Sequence, residues 1–179
     1  MDFDILYAIQ TIRTPFLDRF ILALTTVMGN YGTMWLIIAV PLLIFKKTRR
    51  AGIAVLVSYA LVYVVGQSIL KDWIARPRPC HLDETVELLV KRPSSYSCPS
   101  THSAWAFAAA MSILMYFRKW GIGVMAVAML IGFSRLYLFV HFPTDVLAGA
   151  AMGLLLGFAA VKLVDLVCAK IKPKTADTD

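Results

Sequence analysis

Three short clusters between residues 71 and 145 contain the side chains best suited to chemistry. Together they place two histidines, three cations and one carboxylate beside long apolar stretches. An ionisable group next to a bilayer is costly enough that it usually marks function. These residue types suit phosphoryl transfer to a histidine, with the cations holding phosphate oxygens. The clusters are Lys71 with Arg78-Pro79, then Pro99-Ser100-Thr101-His102, then Ser134-Arg135 with His141 and Asp145.

The last cluster combines a histidine with a carboxylate. His141 precedes Pro143, a residue that suits the first turn of a helix, and Asp145 follows within that turn. A carboxylate bonded to one imidazole nitrogen fixes the tautomer and leaves the other nitrogen as a nucleophile. Alternatively, Asp145 is only an acid favoured by the helix macrodipole. These residues alone are equally compatible with both interpretations.

The middle cluster predicts a helix that begins at Pro99. Free N–H groups at a helix start can cradle a phosphate. Ser100 would add a hydroxyl donor, and His102 would act as an acid toward a leaving oxygen. Taken alone, these four residues fit a polar cap followed by an interfacial histidine better.

Three cations, Lys71, Arg78 and Arg135, could bind phosphate oxygens. Snorkelling is the usual explanation for Lys and Arg at helix ends, but it does not explain why all three fall on one membrane face. Three further cations are interpreted as solvent-exposed or substrate-steering: Arg76, Lys91 and Arg92.

The composition predicts an all-α, polytopic membrane bundle of six transmembrane helices. The chain has 179 residues, is 59% hydrophobic and has a mean hydropathy of +0.71, which is too apolar for an ordinary soluble domain. Gly29-Asn30-Tyr31-Gly32 reads as a hairpin turn. The predicted spans are residues 16–29, 31–46, 51–70, 99–117, 120–139 and 143–168.

Basic residues between the spans predict the orientation. Those in 46–50, 118–119 and 170–174 fall on one side, which the positive-inside rule makes cytoplasmic together with both termini. The three clusters are then expected on the outer, periplasmic side of the cytoplasmic (inner) membrane. We expect one domain, 1–179, with an interfacial lead-in (1–15), an outer loop (71–98) and a disordered tail (172–179).

Other features narrow the functional class. The net charge of +7 lies in short turns rather than on a continuous face, which argues against nucleic acid. No carboxylate or cysteine spacing suits a metal, so we expect no metal and no cofactor. The glycines at 149, 153 and 157 favour packing against a neighbouring helix over a dimer face. The sequence leaves the oligomeric state open.

The three clusters, in this order on consecutive spans, resemble the type 2 phosphatidic acid phosphatase superfamily of membrane phosphatases. The resemblance implies that His141 is the nucleophile, that Asp145 orients it, and that His102 protonates the leaving oxygen and later activates water. It implies phosphate binding by Lys71, Arg78, Ser100, Arg135 and the backbone N–H of Thr101. Threonine stands at 101 where the family usually has glycine, so the pocket is expected to be narrower or to gain a hydroxyl contact.

The substrate is expected to be a lipid phosphate or diphosphate held among membrane lipids. Undecaprenyl diphosphate ranks first, then phosphatidylglycerophosphate or phosphatidic acid, then lipid A phosphates. A vanadate-binding peroxidase is a rival, although such enzymes are typically larger and soluble. A non-catalytic lipid-binding or transport protein would not need His102, His141 and Asp145 together. A Cys80–Cys98 disulfide could tie the first two clusters together in an oxidising compartment.

Overall fold

The described part of the chain, residues 2–29 and 32–171 of a computed structural model, is helical and contains no strand. The predicted tail (172–179) lies outside it, as do Asn30 and Tyr31 of the predicted turn. The helices are α1 (Asp2–Thr11), α2 (Pro15–Met28), α3 (Met34–Ile44), α4 (Arg49–Val62), a π-helix (Tyr63–Leu70), α5 (Lys71–Ile74), α6 (Pro79–Leu82), α7 (Thr101–Tyr116), α8 (Arg118–Tyr137) and α9 (Pro143–Ile171).

Each of the six predicted segments contains a helix, and the glycines at 29 and 32 flank the α2–α3 turn with positive φ. Within the described residues, three stretches are long and apolar enough to cross a membrane: Arg49–Leu82, Arg118–Tyr137 and Pro143–Ile171. The helix Met34–Ile44 is apolar but shorter. The all-helical fold class is therefore confirmed, whereas six complete crossings remain a prediction.

The centre of the bundle is α7, which packs against α4, α8 and α9. Its many alanines allow α9 to approach closely. A Cβ at Gly149, Gly153 or Gly157 would collide with backbone carbonyl oxygens along α7, at residues 100, 104 and 108. The glycine stripe thus packs within the molecule, as its spacing predicted.

Polar contacts at one end of the bundle fix the direction of three helices. Arg50 of α4 lies 3.9 Å from Asp165 of α9, and the Tyr116 hydroxyl at the end of α7 donates to the same carboxylate at 2.9 Å. The start of α4 and the ends of α7 and α9 therefore lie together. The opposite end of the bundle carries the other termini of these helices, and with them the three clusters.

The third apolar segment changes its helical pitch before the first cluster. The π-helix replaces the α-helix from Tyr63 and leads into α5, which ends where Ala75 adopts a left-handed φ of 48°. Such π-segments are frequent at functional sites. Here the segment carries Gln67 and Lys71 to the start of α7, where both side chains contact Thr101.

The first helix, α1, packs against α8 and α9. Leu6 is fully buried in an apolar cluster with Cys80, Phe139 and Phe142. The predicted lead-in at 1–15 therefore contains a helix that is docked on the bundle beside the clusters.

Candidate active site

His141 lies in the turn between α8 and α9 and is 2% exposed. A guanidinium nitrogen of Arg78 lies 3.0 Å from its Nε2 and also donates to the Val140 carbonyl at 2.8 Å. Because Arg78 has only donors, this contact requires Nε2 to be the acceptor and puts the ring proton on Nδ1. Burial is the main cause that lowers the pKa of His141, and the neighbouring Arg78 lowers it further, while Asp145 raises it. The imidazole is therefore neutral near pH 7, with the lone pair on Nε2.

Asp145, fully buried, is held on the other side of the imidazole. Its Oδ2 lies 3.8 Å from His141 Nδ1, which is beyond direct hydrogen-bond distance. The Ser97 hydroxyl lies 3.4 Å from Nδ1 and donates to the same Oδ2. Oδ2 also accepts the Phe142 backbone N–H at 2.9 Å, which caps α9. Asp145 therefore caps α9 and also lies on the Nδ1 side of His141, while its role in orienting the imidazole stays a prediction.

Arg76 completes the surroundings of Asp145. It donates to Oδ1 at 2.7 Å and to the Asp2 carboxylate at 3.0 Å, and its guanidinium lies 4.1 Å from the centroid of the Phe142 ring. Arg76 is partly exposed, but its pairing with two carboxylates argues against a steering role. Its charge is taken up by two carboxylates, one of them from α1.

His141 lines a cavity of about 450 Å³. The cavity brings together six of the predicted site residues, whereas Ser100 and Asp145 do not line it. Lys91 and Arg92 also line it, which is compatible with a steering role. The six are Lys71, Arg78, Thr101, His102, Arg135 and His141.

The predicted cations of this cavity, Lys71, Arg78 and Arg135, are all buried. Among residues 2–29 and 32–171, none of them forms an ion pair with a carboxylate. Buried, unneutralised cations around a cavity are suited to an anion, because the charge on each is available to a ligand.

The start of α7 lies at the edge of the cavity and differs from its prediction. The helix begins at Thr101, with Ser100 as the preceding residue, rather than at Pro99. Thr101 and His102 both line the cavity and occupy the first two positions of the helix, where N–H groups have no partner within the helix. The Ser100 hydroxyl instead pairs with that of Ser103 at 2.9 Å. The Ser100 side chain therefore does not line the cavity, where its predicted role would require it to donate to a phosphate.

His102 is partly exposed at the cavity. Its ring meets that of Trp105 edge-on, with the centroids 6.2 Å apart, and Gly29 and Arg135 line the same space. The two predicted catalytic histidines thus reach one cavity from α7 and from the α8–α9 turn.

Cys80 and Cys98 are both free thiols, so the predicted disulfide is not present. Cys80 is buried in the apolar cluster beneath α1, whereas Cys98 lies beside Asp145. The two side chains are held in different surroundings. Within the described residues, no group of three or more His, Cys, Asp and Glu side chains could hold a metal ion.

Several contacting residues were missed in the sequence. Their hydroxyl and amide groups lie in segments that have no sequence motif. Only Ser97 could have been found, because it lies two residues before Pro99 of the second cluster. The missed residues are Thr25, Gln67, Ser95 and Ser97.

Comparison with known proteins identifies the family of this chain. A model of the PAP2 superfamily matches residues 51–167. An undecaprenyl-diphosphatase of Sulfolobus acidocaldarius is 34% identical over 140 residues, 76% of this chain and 67% of that protein. Phosphatidylglycerophosphatase B of Bacillus subtilis is 32% identical over 82% of this chain and 75% of its own length. The crystal structure of a transmembrane PAP2 type phosphatidylglycerolphosphate phosphatase from Bacillus subtilis has a TM-score of 0.72 and 32% identity, covering 97% and 87% of the two chains.

The chain belongs to the PAP2 superfamily, which confirms the resemblance inferred from the three clusters. It is a membrane protein and a hydrolase of the class that acts on lipid phosphates.

Proposed function

We propose that this protein hydrolyses a polyprenyl diphosphate, with undecaprenyl diphosphate as the first candidate substrate, through a phosphohistidine intermediate and without a metal ion. The observation that carries the proposal is the cavity that neutral His141 lines together with three buried cations, none of which pairs with a carboxylate in the described part of the chain. The similarity to an undecaprenyl-diphosphatase supports this choice of lipid.

In the first step, the lone pair on His141 Nε2 attacks the terminal phosphorus of the lipid. A P–N bond forms and the bond from phosphorus to the bridging oxygen breaks, while protonated His102 gives its proton to that departing oxygen. Lys71, Arg78, Arg135 and the N–H groups at the start of α7 stabilise the charge on the equatorial oxygens. The lipid leaves as a monophosphate.

In the second step, His102, now neutral, takes a proton from water, and the resulting hydroxide attacks the phosphohistidine. The P–N bond breaks, inorganic phosphate is released, and His141 returns to its neutral form. Asp145 stabilises the imidazole while it carries positive charge in the intermediate. The cations perform the charge neutralisation that a magnesium ion performs in other phosphoryl-transfer enzymes.

The proposed site lies on the outer face of the cytoplasmic membrane, with the C-terminus inside. Asp2 of α1 contacts Arg76 and Thr144 beside the site, so the N-terminal helix belongs to the same outer face, and the predicted six spans with both termini inside do not fit this arrangement. Support comes from the end-to-end arrangement of the bundle, because the basic starts of α4 and α8 are remote from the cavity along their helices. A lipid phosphate at the headgroup plane would enter the cavity while its tail stays in the bilayer.

The test is phosphate release by the purified full-length chain in detergent with EDTA. The panel contains undecaprenyl diphosphate, phosphatidylglycerophosphate, phosphatidic acid and lipid A. We expect undecaprenyl diphosphate to be fastest and His141→Ala to lose at least about a thousandfold in rate, because the nucleophile is removed. The matched control is His81→Ala, since the His81 side chain is exposed in α6 and does not line the cavity.

A 32P-labelled diphosphate, quenched during turnover, should leave acid-labile, base-stable label on the wild type and none on His141→Ala. Faster release from phosphatidylglycerophosphate would transfer the assignment to the activity named for the Bacillus subtilis relative. Activity abolished by EDTA and restored by Mg²⁺ would contradict the metal-independent mechanism. Equal release by His141→Ala would contradict the histidine mechanism.

A further inference from the structure

Each predicted phosphate-binding cation is held by a neutral side chain outside the three clusters. Lys71 Nζ lies 3.3 Å from Gln67 Oε1, and Arg135 donates to the Thr25 hydroxyl at 2.6 Å. Arg78 donates to the Ser95 hydroxyl at 3.0 Å and to its backbone carbonyl at 2.6 Å. The holders come from α2, the π-helix and the loop before α7, so the arrangement is not a consequence of one local turn.

The chemistry of these holders distinguishes them from ordinary partners of buried cations. A buried Lys or Arg is usually paired with a carboxylate, which fixes the side chain and cancels its charge. A hydroxyl or amide oxygen accepts the same N–H but carries no net charge. The cation is then fixed in position while its charge remains available to a ligand.

We propose that Thr25, Gln67 and Ser95 are positioning residues, which fix Arg135, Lys71 and Arg78 around the cavity without neutralising them. This inference rests on the proposed function, because it assumes that the ligand of the cavity is a phosphate. It predicts that phosphate affinity depends on the neutrality of these three side chains as well as on their presence.

Gln67 provides the sharpest test because it takes part in a closed set of contacts. Its Oε1 accepts from Lys71 and also from the Thr101 hydroxyl at 3.2 Å, and that hydroxyl oxygen lies 3.4 Å from Lys71 Nζ. Gln67→Glu keeps the shape of the side chain and places a carboxylate against the ammonium. Gln67→Met removes the polar contact without adding charge.

We expect Gln67→Glu to raise both the Kd for inorganic phosphate and the KM for the lipid by at least about tenfold, because an ion pair replaces a neutral contact. The kcat should fall less than the affinity. Gln67→Met should weaken phosphate binding by only a few fold, since the charge on Lys71 is kept. A merely structural glutamine would give the opposite order, with methionine at least as damaging as glutamate.

Adjacent threonines of α2 supply a matched pair. Thr25 contacts Arg135, whereas Thr26 is exposed and donates only to the Leu22 carbonyl of its own helix. Thr25→Val should raise the Kd for phosphate several fold, Thr25→Ser should restore it, and Thr26→Val should leave it unchanged. All variants are compared with the wild type by calorimetric titration with phosphate, after size-exclusion and thermal-unfolding profiles in detergent show that they fold.

Wild-type Kd and KM in folded Gln67→Glu and Thr25→Val would overturn the positioning role. A wild type that does not bind phosphate would overturn it as well. If the wild type binds phosphate but releases none from the lipid panel, the proposed function fails, while the ratios of the binding constants still decide the role of these residues.

Discussion

The two ring nitrogens of His141 have neighbours of opposite charge: a guanidinium lies next to Nε2, and a carboxylate lies on the side of Nδ1. On the Nε2 side, Arg78 lies 3.0 Å away, and among the described residues no carboxylate pairs with Lys71, Arg78 or Arg135 of this cavity. On the Nδ1 side, Asp145 lies 3.8 Å away, and Arg76 links it to the Asp2 carboxylate. One side keeps positive charge available, whereas on the other side two carboxylates share one guanidinium, which leaves a net negative charge.

The difference is clearest between Arg76 and Arg78, which are separated by one proline. Arg76 forms ion pairs with two carboxylates, whereas the described acceptors of Arg78 are neutral. A cation beside the proposed nucleophile can therefore be available to the substrate or be paired with the proposed orienting carboxylate, depending on its partners.

The largest effect is expected for Asp145→Asn, which keeps the shape of the side chain but removes the charge opposite the imidazole. Phosphate release should fall by about 10² to 10⁴, because the positive imidazole of the intermediate loses its stabilising carboxylate. The measurement is kcat with undecaprenyl diphosphate, with Asp165→Asn at the far end of α9 as the matched control. A loss of less than threefold would show that Asp145 serves only as the cap of α9.

A smaller and more selective effect is expected from the two arginines. Arg78→Gln should weaken phosphate binding and lower kcat/KM by about a hundredfold, because a cation within reach of the phosphate is lost. Arg76→Gln should lower kcat by about tenfold and leave the Kd for phosphate unchanged, because Asp145 keeps its contacts with Ser97 and the Phe142 N–H. This distinction between the two arginines would be refuted if both variants changed the Kd equally.

The smallest effect concerns pH. In the proposed mechanism the neutral form of His141 is the nucleophile. Burial lowers the pKa of His141, so protonation should inactivate it only at a pH below the ordinary histidine value of 6.5. The acid limb of the profile of kcat/KM against pH should therefore lie below 6.5. Asp145 raises this pKa, so the limb should move to still lower pH in Asp145→Asn. A wild-type limb at or above pH 6.5 would contradict a buried, neutral His141.

Much of the fold could be predicted because apolar length is a property of the chain itself. All six predicted segments contain helices, and the glycines at 149, 153 and 157 pack against α7 as their spacing indicated. The predicted helix boundaries were less accurate: α7 begins at Thr101 and not at Pro99. Local composition does not determine the exact residue at which a helix begins. The π-helix was missed because a change of pitch leaves the hydrophobic pattern intact.

The residue types of the three clusters, and their order on consecutive apolar segments, were enough to determine the phosphatase superfamily from the sequence. Only the tertiary structure decided which side of His141 each neighbour occupies. Between the left-handed Ala75 and the extended Arg78, the backbone has no regular period, so nothing local indicates that Arg76 reaches Asp145 while Arg78 reaches the cavity. Thr25, Gln67 and Ser95 contact the site for the same reason: hydrogen bonds between distant segments depend on how the helices pack, and sequence spacing does not encode that.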